Sequence, residues 1–126
     1  MIASAFTKDI SLGKQGEAFA VSYLKALKYK ILQTNYRCRC GEIDIIARDG
    51  SVLVFVEVKT RSGNSYGPPQ LSITPFKQRQ ISKTALTYLL QNRWMEENAR
   101  FDVITLVLCN GEPVVTHIKD AFELAY

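Results

Sequence analysis

Residues 41–61 hold two consecutive runs of strand-forming side chains, and this stretch constrains the fold more than any other part of the chain. The runs flank Asp49-Gly50, a dipeptide that tolerates the positive φ angles of a tight hairpin turn, so they are expected to pair antiparallel. The second run starts apolar on both faces and becomes charged on one face toward its end. Because strand side chains alternate between faces, this pattern predicts a strand in the middle of a sheet whose last residues leave the core.

The charged residues of the two runs are expected to meet at one end of the sheet. A loop with an even number of residues centred on Asp49-Gly50 would pair Asp44 with Phe55. Asp44 would then share a face with Glu57 and Lys59, and its backbone would lie about 7–8 Å diagonally from that of Glu57. An odd-length loop would put the two carboxylates on opposite faces.

Two interpretations fit such a cluster. An exposed salt-bridge cluster is one, because surface ion pairs are common and weak. A divalent-metal site is the other, because carboxylates are the hard oxygen ligands that Mg²⁺ prefers and a neighbouring lysine can orient a water or neutralise a phosphate. The apolar strand beneath Glu57 favours the metal site, since a solvated salt bridge does not need such a buried support.

Composition indicates one domain, residues 1–126, with an anionic partner. The chain carries 16 Lys and Arg against 12 Asp and Glu, a formal charge of +4 that favours nucleic acid. Three cysteines lack the spacing of a zinc site or disulfide framework, although Cys38 and Cys40 resemble half of a metal site. With no signal peptide and no membrane-spanning stretch in the sequence, a soluble, cytoplasmic protein is expected.

The remaining periodicities predict the order αβββαββ. Glu17 lies on the buried edge of the first helix, where an acid near the positive end of the helix dipole is the plainer explanation. Thr74-Pro75 predicts the start of the second helix. The expected elements are helices over 11–29 and 75–91 and strands over 30–37, 41–48, 51–61, 101–109 and 113–118.

The sequence also predicts the surroundings of several polar residues outside the central hairpin. Lys77 leans toward the buried face of the second helix, whereas Arg79 and Lys83 are expected to face solvent. The loop over 61–73 leaves the charged strand end, where Arg61 and Tyr66 would be able to contact a phosphate and a base. Arg100 and Asp102 are expected to form an ion pair, and Trp94 and Met95 are expected to pack against the core. His117 is expected to be exposed to solvent.

The sequence resembles the PD-(D/E)xK nucleases, and within them it closely resembles the small uncharacterised bacterial YraN-type proteins, which are similar to archaeal Holliday-junction resolvases. The segments that carry the resemblance are Gly13–Ala18, Gly41–Ile46, Val54–Arg61 and Arg100–Val103. They span residues from about 12 to 107. The resemblance implies a restriction-endonuclease-like α-β-α fold of three layers with a central mixed sheet of about five strands.

The resemblance also implies roles for residues that match the motifs. Metal ligation falls to Asp44, Glu57 and the carbonyl of Val58, with Mg²⁺ or Mn²⁺ as the cofactor. Lys59 would orient the attacking water, and Glu17 would be a further acidic ligand or water holder. The candidates for the protein surface that contacts nucleic acid are Arg61, Lys77 and Gln80.

These observations favour a metal-dependent endonuclease acting on DNA, with branched or structured DNA as the expected substrate. Cutting two strands would favour a homodimer, because so small a chain spans little DNA. A non-catalytic nucleic-acid-binding or repair-accessory protein of the same fold is the main alternative. A carboxylate-pair hydrolase acting on sugars is a remote third, since it has no use for Lys59 beside the pair.

Overall fold

The computed structural model describes residues 11–62, 73–109 and 111–124. They form two helices and five strands in the predicted order αβββαββ. The predicted loop residue Tyr66 lies outside the described residues. The elements are α1 (Leu12–Ala26), β1 (Lys30–Cys38), β2 (Gly41–Asp49), β3 (Val52–Ser62), α2 (Pro75–Asn92), β4 (Ala99–Cys109) and β5 (Glu112–Phe122).

The strands form one mixed sheet in the order β1-β2-β3-β4-β5, with β3 in the centre. Only β3 and β4 run parallel, joined by the crossover that contains α2, and the other neighbours are antiparallel. This arrangement confirms the α/β class and the central position of β3. Among the described residues, neither helix is both long enough and apolar enough to cross a membrane.

The two helices pack on opposite faces of the sheet because alternate residues of β3 point to opposite sides. Val54 and Val56 pack with Ala20 and Leu24 of α1. Leu53 and Phe55 pack with α2, whose contribution to that core is Ile81, Ala85 and Tyr88. Both cores therefore meet at the central strand, which is fully buried from Leu53 to Glu57.

The predicted hairpin register is wrong by two residues. Asp49 pairs with Val52, so the loop consists of Gly50 and Ser51. Gly50 has a φ of +61°, which suits the first position of a two-residue hairpin loop. Asp49 stays in β2 because its carboxylate contacts Arg100 of β4 at 3.0 Å. A shift of two residues leaves every side chain on its expected face.

Element ends and two side-chain environments also differ from the predictions. α1 ends at Ala26, three residues early, and Lys28 takes a left-handed φ of 73° as the chain turns toward β1. β5 continues to Phe122, four residues beyond its predicted end. Trp94 packs against the α2-side core as expected, but Met95 is 47% exposed.

His117 is not solvated, contrary to the prediction. Its side chain is only 5% exposed, and Nε2 lies 2.8 Å from Oδ2 of Asp102. Arg100 donates to the same fully buried carboxylate at 3.0 Å, which confirms the predicted ion pair. Burial opposes ionisation, but the bonds from His117 and Arg100 outweigh it and lower the pKa of Asp102. β5 therefore uses its histidine to hold the edge of the sheet.

Candidate active site at the end of the β2–β3 pair

Asp44 lies where β2 separates from β3. Main-chain pairing between the two strands extends from Asp49 and Val52 to Ile45 and Val56. Asp44 and Glu57 are the next residues of the two strands, just beyond this last pair. The Asp44 side chain is 8% exposed, and its Oδ2 accepts a hydrogen bond from the N–H of Val58 at 2.8 Å. Where the main-chain pairing ends, a side-chain carboxylate therefore accepts the next hydrogen bond from β3.

Local packing explains why β2 leaves the pair at this point. Ile43 and Ile46 both pack in the α2-side core, whereas Ile45 packs in the α1-side core. Strict alternation cannot put residues 43 and 46 on the same face, so β2 changes direction between them. Asp44 is within this irregular segment, which allows its side chain to reach the edge of β3.

Glu57 supplies the second buried carboxylate, and it is 6% exposed. Two ammonium groups approach the same oxygen, Oε2: Nζ of Lys59 at 3.6 Å and Nζ of Lys77 at 3.8 Å. Lys59 is two residues further along β3, on the same face, while Lys77 comes from the first turns of α2. Strand and helix therefore bring two cations to one buried acid.

The two carboxylates resist ionising together. Burial, followed by the nearby charge of Asp44, raises the pKa of Glu57 to about 7. Burial also raises the pKa of Asp44, although the N–H of Val58 opposes that rise. Like charges in a site of low dielectric constant disfavour each other's charged form. The two lysines offset this repulsion only in part, so a further cation would be favoured here.

Glu17 approaches Asp44 from α1. Its neighbour Gly16 packs directly on β3, and a Cβ added to Gly16 would overlap Oγ1 of Thr60. This close approach places Glu17 and Asp44 on the wall of one pocket of about 580 Å³, which Lys14 also lines. Burial and the charge of Asp44 raise the pKa of Glu17. Glu17 therefore belongs to the site and not to the solvated lysine face of α1.

The predicted acids do not form a single tight cluster. Within the described ranges, no group of three or more His, Cys, Asp or Glu side chains is arranged to hold a metal ion. Asp44 lies between the other two acids: it shares the pocket with Glu17, whereas Glu57 faces the lysines and is not part of that pocket wall. The site is thus a carboxylate pair, Asp44 with Glu57, flanked by a third acid.

The structure gives the remaining predicted residues different positions. Val58 is at the site through its N–H, and a residue in a strand directs its N–H and C=O to the same side. Arg61 follows Lys59 on the same face of β3 and is half-buried. Gln80 lines a separate, smaller pocket on α2. Lys77, predicted as a contact for nucleic acid, lies 3.8 Å from Glu57, and its contact with nucleic acid stays a prediction.

Sequence reasoning underestimated Lys77 and overlooked Lys14, whereas Arg37 was expected in solvent next to the site, within reach of a phosphate. The inward lean of Lys77, four residues before the buried Ile81, was the available signal for its contact with Glu57. Lys14 and Arg37 line the pocket that contains Glu17 and Asp44. Nothing in the local sequence distinguishes Lys14 from a surface cation, because only the packing of α1 against the sheet brings it to the pocket.

Fold and site together define an α/β protein with a central mixed sheet and a buried carboxylate pair contacted by lysines. The chain belongs to UPF0102, an uncharacterised protein family whose sequence profile matches residues 16–106. This membership confirms the YraN-type resemblance.

Relatives described as UPF0102 proteins cover nearly the whole chain. The protein of Geotalea uraniireducens is 61% identical over 92% of both chains. That of Geobacter metallireducens is 60% identical over 92% of this chain and 95% of its own. The protein of Clostridium kluyveri is 43% identical over 95% of this chain and 98% of its own.

Proposed function

We propose that this protein is a Mg²⁺- or Mn²⁺-dependent endodeoxyribonuclease of the PD-(D/E)xK type. The observation that carries the proposal is the buried pair of Asp44 and Glu57, with Lys59 on the same strand as Glu57 and 3.6 Å from it. A structural salt bridge explains one acid beside one lysine, but it does not explain a second buried carboxylate. Two adjacent buried carboxylates gain most from a divalent cation.

The donor set fits a hard divalent cation. Mg²⁺ is commonly held by one or two carboxylates while it keeps several of its waters. Asp44 and Glu57 meet that requirement without a third acid, and the carbonyl of Val58 is a further oxygen on the same side of β3. Glu17, which shares a pocket with Asp44 but not with Glu57, would hold a water of such an ion and would not need to bind the metal directly.

The side chains of this chain divide the work of phosphodiester hydrolysis. The bound ion would supply polarisation of the scissile phosphate and a water of lowered pKa. Lys59 orients that water and stabilises negative charge as it develops. Lys77, on the same carboxylate oxygen of Glu57, neutralises a phosphate oxygen and limits the repulsion between the DNA backbone and the acids.

The charge of the pocket rim supports DNA as the substrate. Lys14 and Arg37 flank the pocket, and Arg37 is bound to Glu42 at 2.7 Å, which fixes its position at the rim. Arg61 extends the same face of β3 beyond Lys59. Together with a net charge of +4, these cations favour a phosphate backbone over a neutral sugar. A homodimer would allow such a small protein to act on both strands.

A non-catalytic nucleic-acid-binding module of the same fold is the second candidate. It is favoured by one observation, namely that the described acids do not form a three-acid metal cage. In that case Asp44 would serve only to bind the N–H of Val58. A sugar hydrolase remains the least favoured, because two ammonium groups crowd Glu57.

Cleavage assays with matched variants test the proposal. The purified protein is incubated with four-way junctions, flaps, single strands and plasmid in Mg²⁺ or Mn²⁺, beside Asp44→Asn and Lys59→Ala. Metal-dependent cleavage that both substitutions abolish supports the nuclease. Binding to DNA without cleavage in either metal would favour the accessory module, and cleavage that survives both substitutions would identify a contaminant.

A further inference from the structure

The first half of α2 presents a stripe of four residues away from the sheet. Arg79 and Gln80 are three and four positions after Phe76, and Lys83 is four and three positions after them, which puts the four residues on one face of the helix. The ring of Phe76 is 63% exposed, and Arg79 and Lys83 are also exposed. The aromatic ring of Phe76 is therefore exposed to solvent beside two cationic side chains and an amide.

These four residues line a shallow pocket of about 200 Å³ together with Cys40 from the turn between β1 and β2. Its surroundings are basic: the sequence of α2 contains no Asp or Glu, and Arg39 in the same turn is exposed. The pocket therefore combines a flat apolar surface, a hydrogen-bonding amide and positive charge.

The pocket is adjacent to the carboxylate site. Lys77 follows Phe76 in the chain and points toward the buried side of the helix, where its Nζ lies 3.8 Å from Oε2 of Glu57. The first turn of α2 thus contributes Lys77 to the carboxylate site and Phe76 to the pocket. A DNA strand that leaves the acids along α2 would pass Phe76.

Resting on the proposed nuclease function, we propose that this pocket binds an unpaired nucleotide of a single-stranded DNA segment next to the scissile phosphate. Its base stacks on Phe76, the amide of Gln80 contacts the base edge, and Arg79 and Lys83 contact the flanking phosphates. Stacking on aromatic side chains is sequence-tolerant, because every base offers a flat face. Bases inside a duplex are already stacked and cannot present that face, so the pocket selects flaps, branches or frayed ends.

Exposure of an apolar side chain alone would not support this inference, because isolated exposed hydrophobic residues are common. Leu90, on the same helix, illustrates the difference. It is 58% exposed, but the last turn of α2 carries no basic residue. The first half of the helix places two cations, Arg79 and Lys83, on the same face as the exposed ring, and this charge complementarity with DNA identifies the occupant.

Fluorescence of 2-aminopurine measures the stacking directly, because stacking quenches this base. A flap DNA carries the probe at successive positions of its single-stranded arm, and the protein is added in EDTA to prevent metal-dependent cleavage. Wild type is expected to quench one position selectively. Phe76→Trp retains the quenching, whereas Phe76→Leu, which keeps an apolar side chain of similar position, loses it.

Affinity measurements give the second readout. Phe76→Ala is expected to weaken binding to the flap by roughly 5- to 150-fold, the loss of one base–aromatic stack, without weakening binding to a blunt duplex. Leu90→Ala is the matched control and changes neither affinity. Equal behaviour of Phe76→Ala and Leu90→Ala, or equal losses on flap and duplex, would overturn the inference. Phe76 dependence on an RNA strand but not on DNA would also overturn it.

Cleavage by the wild-type protein in Mn²⁺, followed on the same DNAs, separates this inference from the proposed function. If flap binding depends on Phe76 but no DNA is cut, the pocket stands and the nuclease proposal fails. If DNA is cut but Phe76→Ala binds the flap as wild type does, the nuclease stands and the pocket is rejected.

Discussion

The carboxylate of Asp44 accepts a hydrogen bond from the N–H of Val58 at 2.8 Å, just beyond the last residues at which β2 and β3 pair. A side chain thus satisfies a backbone donor at the point where the two strands part. The same carboxylate faces Glu57 and lines the pocket that contains Glu17. Asp44 therefore has both a structural and a proposed metal-binding role, and substitutions can separate the two.

Asp44→Asn is expected to abolish metal-dependent cleavage while the protein stays folded. The amide oxygen still accepts from Val58, but the negative charge that a metal needs is gone. Asp44→Ala loses the acceptor as well, so its free energy of unfolding should be about 1 kcal/mol lower than that of the Asn variant. Urea denaturation and a cleavage assay measure the two effects. Cleavage by Asp44→Asn at the wild-type rate would contradict the role.

Substitution of Lys59 and substitution of Lys77, the two lysines at Glu57, should change different kinetic constants. Lys59→Ala is expected to lower kcat by roughly 10²–10⁴-fold, because it loses the group that orients the water. Lys77→Ala should mainly raise KM, because it loses a phosphate contact. Each change should also raise the pKa of Glu57 in the metal-free protein, since both ammonium groups lower it.

Steady-state kinetics and a ¹³C NMR titration of the Glu57 carboxyl check these changes. Lys25→Ala, on an exposed position of α1, is the control for simple loss of charge. A Lys59→Ala variant that reduces activity no more than Lys25→Ala does would exclude the proposed role of Lys59.

The stability of the metal-free protein should fall as pH rises from about 4.5 to about 7. The pKa of Glu57 is about 7 in the folded protein and 4.5 for the ordinary group, so the folded state binds more protons in this window. The expected loss is roughly 1–3 kcal/mol, and it levels off above pH 7. Thermal denaturation of wild type and Glu57→Gln measures it, and the fall should be smaller in the Gln variant, where only the raised pKa values of Asp44 and Glu17 contribute.

Mg²⁺ or Mn²⁺ added at pH 8 should restore part of that stability in the wild-type protein. A cation favours both ionised carboxylates, so it offsets the repulsion between Asp44 and Glu57. The rise in Tm should be absent from Glu57→Gln. A Tm that rises equally in both proteins would mean that the ion binds elsewhere.

Two glycines of α1 should respond oppositely to substitution by alanine. Gly16→Ala forces a Cβ against Thr60, so the start of α1 must move away from β3 and carry Glu17 with it. A loss of about 1–3 kcal/mol in stability is expected. Gly13→Ala meets nothing within 4 Å and should be neutral or stabilising by up to about 1 kcal/mol. Similar unfolding midpoints for the two variants would contradict the close packing.

Loss of the buried carboxylate in the ion cluster at β4 should lower the free energy of unfolding far more than loss of the half-exposed carboxylate at its edge. Asp102→Ala leaves Arg100 and His117 without their shared carboxylate and is expected to cost about 3–5 kcal/mol. Asp49→Ala removes a half-exposed partner of the same arginine and should cost no more than about 1 kcal/mol. Chemical denaturation of both variants provides the comparison.

The sequence by itself determined the element order and the central place of β3. These follow from side-chain alternation, which a two-residue error in the hairpin register does not change. The cap at Thr74 and the inward lean of Lys77 were readable for the same reason, because they depend on spacing within one helix.

Only the tertiary structure decided the contacts between distant elements. The loop shifted to Gly50 and Ser51 because Asp49 contacts Arg100, which lies on another strand. His117 is buried because its ring contacts Asp102 on β4 and Tyr23 on α1, and Lys77 reaches Glu57 because the first turns of α2 lie beside the end of β3. Periodicity fixes which way a side chain points, whereas packing between elements fixes what it meets.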